Sequence, residues 1–98
     1  MRPADALRII RERAEDSGCI VLTLHARERM TERGIDFLDI QRVLRGGAVT
    51  EGPAPDLRTG DERCSVEGVV DSRRLRIGVA LPADRQDVVV VTVIDLGM

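Results

Sequence analysis

The sequence holds no lysine, no tryptophan and no tyrosine, one phenylalanine and one histidine, and each scarcity removes a kind of chemistry. With Phe37 as the sole aromatic ring, no row of side chains can stack on successive bases, which argues against stacking-based binding of single strands. Without lysine there is no amine to act as a base or to form a Schiff base, and all fifteen cations are permanently charged guanidiniums. Two cysteines, Cys19 and Cys64, lack the paired spacing of a zinc site or a redox motif. They are expected to be buried free thiols. A lone histidine and scattered carboxylates offer no three-ligand metal site, and no Walker loop, dinucleotide fingerprint or nucleophile elbow is present. Neither a metal nor a cofactor is therefore expected. No apolar run approaches the roughly 20 residues of a membrane span, and MRPADALRIIRER lacks the apolar centre of a signal peptide. The expectation is a cytoplasmic protein without a membrane partner.

What is present is 98 residues, 43% of them apolar, with a formal charge of −2. This suits a single domain spanning 1–98 around one aliphatic core. The net charge gives no overall pull toward nucleic acid, so any attraction must come from a local basic patch.

The hydrophobic period changes halfway along. Ala6, Leu7, Ile10 and Ala14 share one helical face over 3–16, with Pro3 suited to a first turn. CIVL (19–22) is short and β-prone. Thr23 can cap a second helix over 24–33 that Gly34 stops in the left-handed conformation. Asp36 and Asp39 form a capping box for a third helix over 37–45. Beyond Gly46 the period falls to two, predicting strands near 47–52, 62–68, 73–81 and 87–95, with a long loop over 52–61. In the third strand Arg74, Arg76 and Gly78 alternate with Leu75, Ile77 and Val79, while the last strand is apolar on both sides and reads as central. Helices followed by strands predict an α+β fold: three helices on one face of a mainly antiparallel four-stranded sheet, the other face open.

HARERMTERGI (25–35) places His25, Arg29 and Arg33 four residues apart. At about 100° per residue, with His25 at zero, Arg29 falls near 40°, Arg33 near 80° and Met30 near 140°. This line borders the apolar face, so Arg33 is expected to be mostly buried and paired to a carboxylate or a backbone carbonyl. Arginines at i and i+4 repel by a few tenths of a kcal/mol unless anions answer them. Two uses remain open: a structural seam facing acidic groups, or a phosphate cleft in which His25 serves as acid or base.

The block HARERMTERGIDFLDIQRVLRGG, followed by TEG, RCSVEG, LRIGVAL and VVVVTVI, resembles an uncharacterised bacterial domain family of the form His-x3-Arg-Met-x2-Arg-Gly-Ile. The likeness covers about residues 20–95. That family is in turn distantly similar to RelE and MqsR toxins, small α+β messenger-RNA endonucleases neutralised by an antitoxin. The resemblance implies a RelE-like fold, a concave sheet face for RNA, and metal-independent cleavage. His25, Arg29, Arg33 and Arg76 would be the catalytic group, with Arg63 and Arg74 binding RNA. It further implies messenger RNA and a cognate antitoxin as partners. The alternative is a non-catalytic interaction domain of the same fold, which uses its open face or an edge strand to bind a partner or a second copy of itself as a homodimer. In RelE and MqsR relatives lysine, arginine, glutamine or tyrosine on the strands contribute; lysine and tyrosine are missing here, so His25, alone or with Glu or Asp, would have to carry the proton transfer.

Overall fold

Pro3 opens helix α1 (Pro3–Ala14) in the computed structural model, which describes residues 1–97. Met98, the last residue of the expected domain, lies outside the described residues. No side chain caps α1; the proline at its first position spares one of the unpaired N–H groups, and Ala6, Ile10 and Ala14 are buried one turn apart. A 3-10 turn at Ser17–Cys19, begun by the Asp16 carboxylate accepting from the Gly18 N–H, leads into strand β1 (Ile20–Leu22).

Helix α2 (Leu24–Arg33) starts where the Thr23 hydroxyl accepts from the Ala26 N–H, and ends at Gly34, whose φ of 63° is cheap only without a Cβ. Helix α3 (Phe37–Gly46) carries the expected capping box: Asp36 accepts from the Asp39 N–H, and Asp39 accepts from the Asp36 N–H. Strands β2 (Ala48–Pro55), β3 (Glu62–Val70), β4 (Arg73–Leu81) and β5 (Val88–Gly97) follow.

The sheet order is β1-β5-β4-β3-β2. Strands β2 to β5 form an antiparallel meander, but β1 lies parallel to β5, with Ile20 opposite Val88 and Leu22 opposite Val90. The expected four-stranded, mainly antiparallel sheet is thus corrected to a five-stranded mixed one. Three residues are too few to display a period of two, and the strand they pair with lies near the other end of the chain, so composition near CIVL could not reveal the pairing. The expected long loop over 52–61 is also too long. Strand β2 continues to Pro55 opposite Glu62, and Asp56 and Asp61 close the turn through a 2.7 Å backbone hydrogen bond. Pro53 and Pro55 are tolerated because β2 is an edge strand with an irregular register, where a missing N–H is cheap.

Leu75, Ile77 and Val79 of β4, Val66 of β3, and Val88, Val90 and Val93 of β5 are buried on one face of the sheet, in one cluster with Ile10 of α1 and Ile40, Val43 and Leu44 of α3. Each such side chain contributes roughly 1.5–3 kcal/mol through burial. Helix α3 lies across β3 and β4, α1 packs on α3 and β2, and α2 runs along β5. The position of α2 follows from the shortness of β1. The chain leaves the sheet at Thr23, whose N–H donates to Val90 O and whose hydroxyl donates to Val90 O and Val91 O. Beyond that point α2 takes the place of a longer β1 beside β5. Among the described residues no helix is long and apolar enough to cross a membrane.

Candidate functional site on the open sheet face

The face turned away from α1 and α3 is built from cross-strand rows. Thr92 of β5 lies opposite Gly78 of β4, Gly78 opposite Ser65 of β3, and Ser65 opposite Glu51 of β2. One step along, Ile94, Arg76, Glu67 and Ala48 form a second row; on the other side Val89, Ala80, Arg63 and Ala54 form a third. Strand alternation, together with the register irregularities of β2 and β5, sends these side chains to one face.

His25 joins them from α2. As the second residue of that helix it stands at the edge of β5, and its Nε2 lies 3.5 Å from the Thr92 hydroxyl, a long contact that places the imidazole at the rim of the face. Gly78 is needed for this arrangement, since a Cβ there would sit 2.7 Å from Thr92 Cγ2. With small residues as its floor the middle of the face is hollowed. A hollow of about 270 Å³ is bordered by Glu51, Arg63, Ser65, Gly78, Val91 and Thr92.

The arginines on this face come already paired. Arg76 donates from Nε to Glu67 Oε2 at 3.1 Å, with its Nη2 3.0 Å from the same oxygen, and Arg74 Nη2 lies 3.2 Å from Glu67 Oε1. Hydrogen bonds from Thr50, Arg74 and Arg76 hold the Glu67 carboxyl below the usual glutamate range, against partial desolvation. A looser pair at 3.6 Å links Arg76 to Glu51, whose side chain is 66% exposed. Arg63 Nε lies 3.2 Å from Asp56 Oδ2. That carboxyl is itself held below its usual range, chiefly by the Arg58 backbone N–H.

Of the six residues expected at a site, the structure brings His25, Arg63, Arg74 and Arg76 to this face. Arg29, one helical turn beyond His25, is half-buried and paired within its own helix to Glu32 at 2.6 Å. Arg33 overturns an expectation: its side chain is exposed rather than buried, and it makes none of the ion pairs among the described residues. Angle around a helix says nothing about height along it. At the last turn of α2 the inward position is filled by Arg73 from β4, which donates to Arg33 O at 2.8 Å and Gly34 O at 3.1 Å.

Sequence reasoning passed over Glu67, Glu51 and Thr92. The alternation in ERCSVEG places Arg63, Ser65 and Glu67 together and could have exposed the carboxylate. Thr92 left no such signal, because the irregularity between Gly78 and Val79 in the β4–β5 register breaks the simple alternation of its strand. Cys64 is buried as expected and Cys19 partly so; neither is in a disulfide. Burial, and then the charge of Glu62, push the Cys64 thiol up to about 11.

No curated protein and no solved structure matches the chain. The model of one family, described as a domain of unknown function (DUF4258), matches residues 22–95, from the end of β1 into β5, and so takes in His25 and the whole open face from Glu51 to Ile94. The chain belongs to the DUF4258 family.

Proposed function

We propose that the open face is the site of a metal-independent endoribonuclease of the RelE and MqsR type, acting on messenger RNA and held in check by an antitoxin. The observation that carries this reading is the His25–Thr92 contact. It sets the one imidazole of the chain at the rim of a hollowed face that also bears Arg63, Arg74 and Arg76.

In this reading the phosphodiester lies over the Thr92–Gly78 row. His25 takes the proton of the ribose 2′-hydroxyl, whose oxygen attacks phosphorus. The bond from phosphorus to the 5′-oxygen breaks, and that oxygen is protonated from solvent, leaving a 2′,3′-cyclic phosphate and a free 5′-hydroxyl. Arg76, oriented by Glu67, faces the charge that builds on the phosphoryl oxygens, a term that fixed donors supply without reorganisation. Arg74 extends the positive edge toward a flanking phosphate, whereas Arg29, paired to Glu32 within α2, stands off this face.

The test is growth arrest on expression, together with cleavage of free and ribosome-bound messenger RNA by the purified protein in EDTA. Cleavage by the wild type and its loss in His25→Gln support the proposal. An inert wild type under both conditions overturns it. A second reading, an interaction domain without catalysis, draws on the carboxylate partners of Arg63, Arg74 and Arg76 and on the exposure of Val21, Val69 and Ile94. It predicts a protein complex or a concentration-dependent dimer in sedimentation, with no RNA cleavage.

A further inference from the structure

The hollow beside the His25–Thr92 contact has a chemistry of its own. One wall carries a carboxylate and a guanidinium, Glu51 and Arg63, on the neighbouring strands β2 and β3. Glu51 lies opposite Ser65, and Arg63 is two residues from Ser65 on the same face, so the two groups stand about 7 Å apart along the strand direction. Arg63 Nε is sealed from solvent 3.2 Å from Asp56 Oδ2 yet makes no hydrogen bond among the described residues, while the side chain as a whole remains 41% exposed beside the hollow. Among the described residues Glu51 is held only by the loose pair with Arg76, worth little at such exposure. The floor of Gly78 and Ser65 is flat and small, and Val91 adds an apolar border. At about 270 Å³ the hollow is near the lower end of small-ligand sites, the scale of one nucleobase rather than a folded RNA element.

We infer that this hollow is a guanine-binding subsite, in which Glu51 accepts the N1 and N2 protons of the base and Arg63 donates to its O6 and N7. Guanine alone among the four bases offers two adjacent donors to a carboxylate beside an acceptor pair for arginine. Adenine turns an unprotonated N1 toward Glu51, and uracil and cytosine each lack part of the pattern. With no aromatic side chain on this face, recognition rests on hydrogen bonding and shape, as in the reading of unstacked bases by their edges. The inference builds on the proposed ribonuclease: it places a guanine of the RNA strand next to the phosphodiester whose 2′-hydroxyl His25 would deprotonate.

Binding can be measured apart from cleavage. Isothermal titration of the His25→Gln protein with guanosine, adenosine, cytidine and uridine 3′-monophosphates, and with a uridine heptamer containing or lacking one central guanosine, separates the two ideas. Expected is a preference of about 10-fold or more for the guanine ligands. It should be lost in Glu51→Gln and in Arg63→Gln with melting temperatures within a few degrees of the parent. The guanosine heptamer should bind more tightly than the free mononucleotide, because Arg74 and Arg76 reach its phosphates. Equal binding of the four nucleotides, or a guanine preference that survives Glu51→Gln, overturns the subsite. A mononucleotide bound more tightly than the heptamer overturns its assignment to an RNA strand. Guanine-selective binding in a protein whose wild type cleaves nothing keeps the subsite and rejects the ribonuclease.

Discussion

Arg73, at the start of β4, donates a 3.1 Å hydrogen bond to the carbonyl oxygen of Gly34, the residue that ends α2. The same guanidinium donates to Arg33 O and lies 3.8 Å from Asp39 Oδ2 in the first turn of α3 and 3.7 Å from Asp95 Oδ2 in β5. One side chain thus ties two helix ends to the sheet, and satisfies carbonyls that have no partner within the helix. Arg73→Ala should lower stability by about 1–2 kcal/mol, the larger part from Asp39, which is buried and would keep only its capping-box hydrogen bond from the Asp36 N–H, since water can replace the donor at the exposed carbonyls. Arg73→Lys should recover less than half, since an ammonium cannot reproduce the planar fork. Urea denaturation midpoints at neutral pH measure both, and an unchanged midpoint in the alanine variant contradicts the role.

Arg33→Ala, by contrast, should change stability by less than about 0.5 kcal/mol, as expected for an exposed side chain without an ion pair among the described residues. A loss above 1 kcal/mol would show that Arg33 finds an anion in solution.

His25→Gln should leave the circular dichroism spectrum and melting temperature near those of the wild type, because the ring is exposed and its contact to Thr92 is long. Under the proposed ribonuclease reading, growth arrest and RNA cleavage should both vanish. Thr92→Val, which removes the hydroxyl beside the imidazole but keeps its shape, should lower cleavage by about 10-fold through poorer positioning. Full toxicity in a folded His25→Gln variant removes the histidine from the mechanism.

The Glu67 carboxyl is held below the ordinary value of 4.5 by Thr50, Arg74 and Arg76. For an acid whose folded pKa is depressed, the stabilisation is complete above the unfolded value and disappears as pH falls through the folded one. Its contribution is therefore present above pH 4.5 and lost in the acid range below it. Glu67→Gln should destabilise at neutral pH and flatten the acid limb of the stability profile, while Arg76→Ala, which leaves Thr50 and Arg74 on the carboxylate, should flatten it less. Thermal melts between pH 3 and 7 decide this; parallel wild-type and Glu67→Gln profiles contradict it.

With its thiol pushed up to about 11, Cys64 stays protonated at any pH up to about 10, and it is also sealed by packing. Burial and then the charge of Asp16 raise the Cys19 thiol as well, so iodoacetamide at pH 8 should modify the partly exposed Cys19 slowly in the native protein and reach Cys64 only in denaturant. Peptide mass spectrometry gives the order of labelling, and rapid native labelling of Cys64 would mean that β3 opens readily.

Local signals were legible wherever a few neighbouring residues suffice to define a conformation. Thr23, Gly34 and the Asp36–Asp39 box mark helix ends because capping involves backbone groups within one turn, and the alternation around Leu75 and Ile77 separates the core face of β4 from the face carrying Arg74 and Arg76. Residue chemistry also singled out His25, since it is the one imidazole in the chain. What the tertiary structure decided depends on contacts between distant parts of the chain. The parallel pairing of Ile20–Leu22 with Val88–Val90 supplies the fifth strand and ends at Thr23, and this ending sets α2 beside β5 with His25 against Thr92. Arg73 rather than Arg33 fills the end of the seam because height along the sheet, unlike angle around a helix, follows from strand register. The carboxylates facing Arg63, Arg74 and Arg76 come from the Asp56 turn and from β2 and β3, so the charge of the face emerges only once those strands are in register.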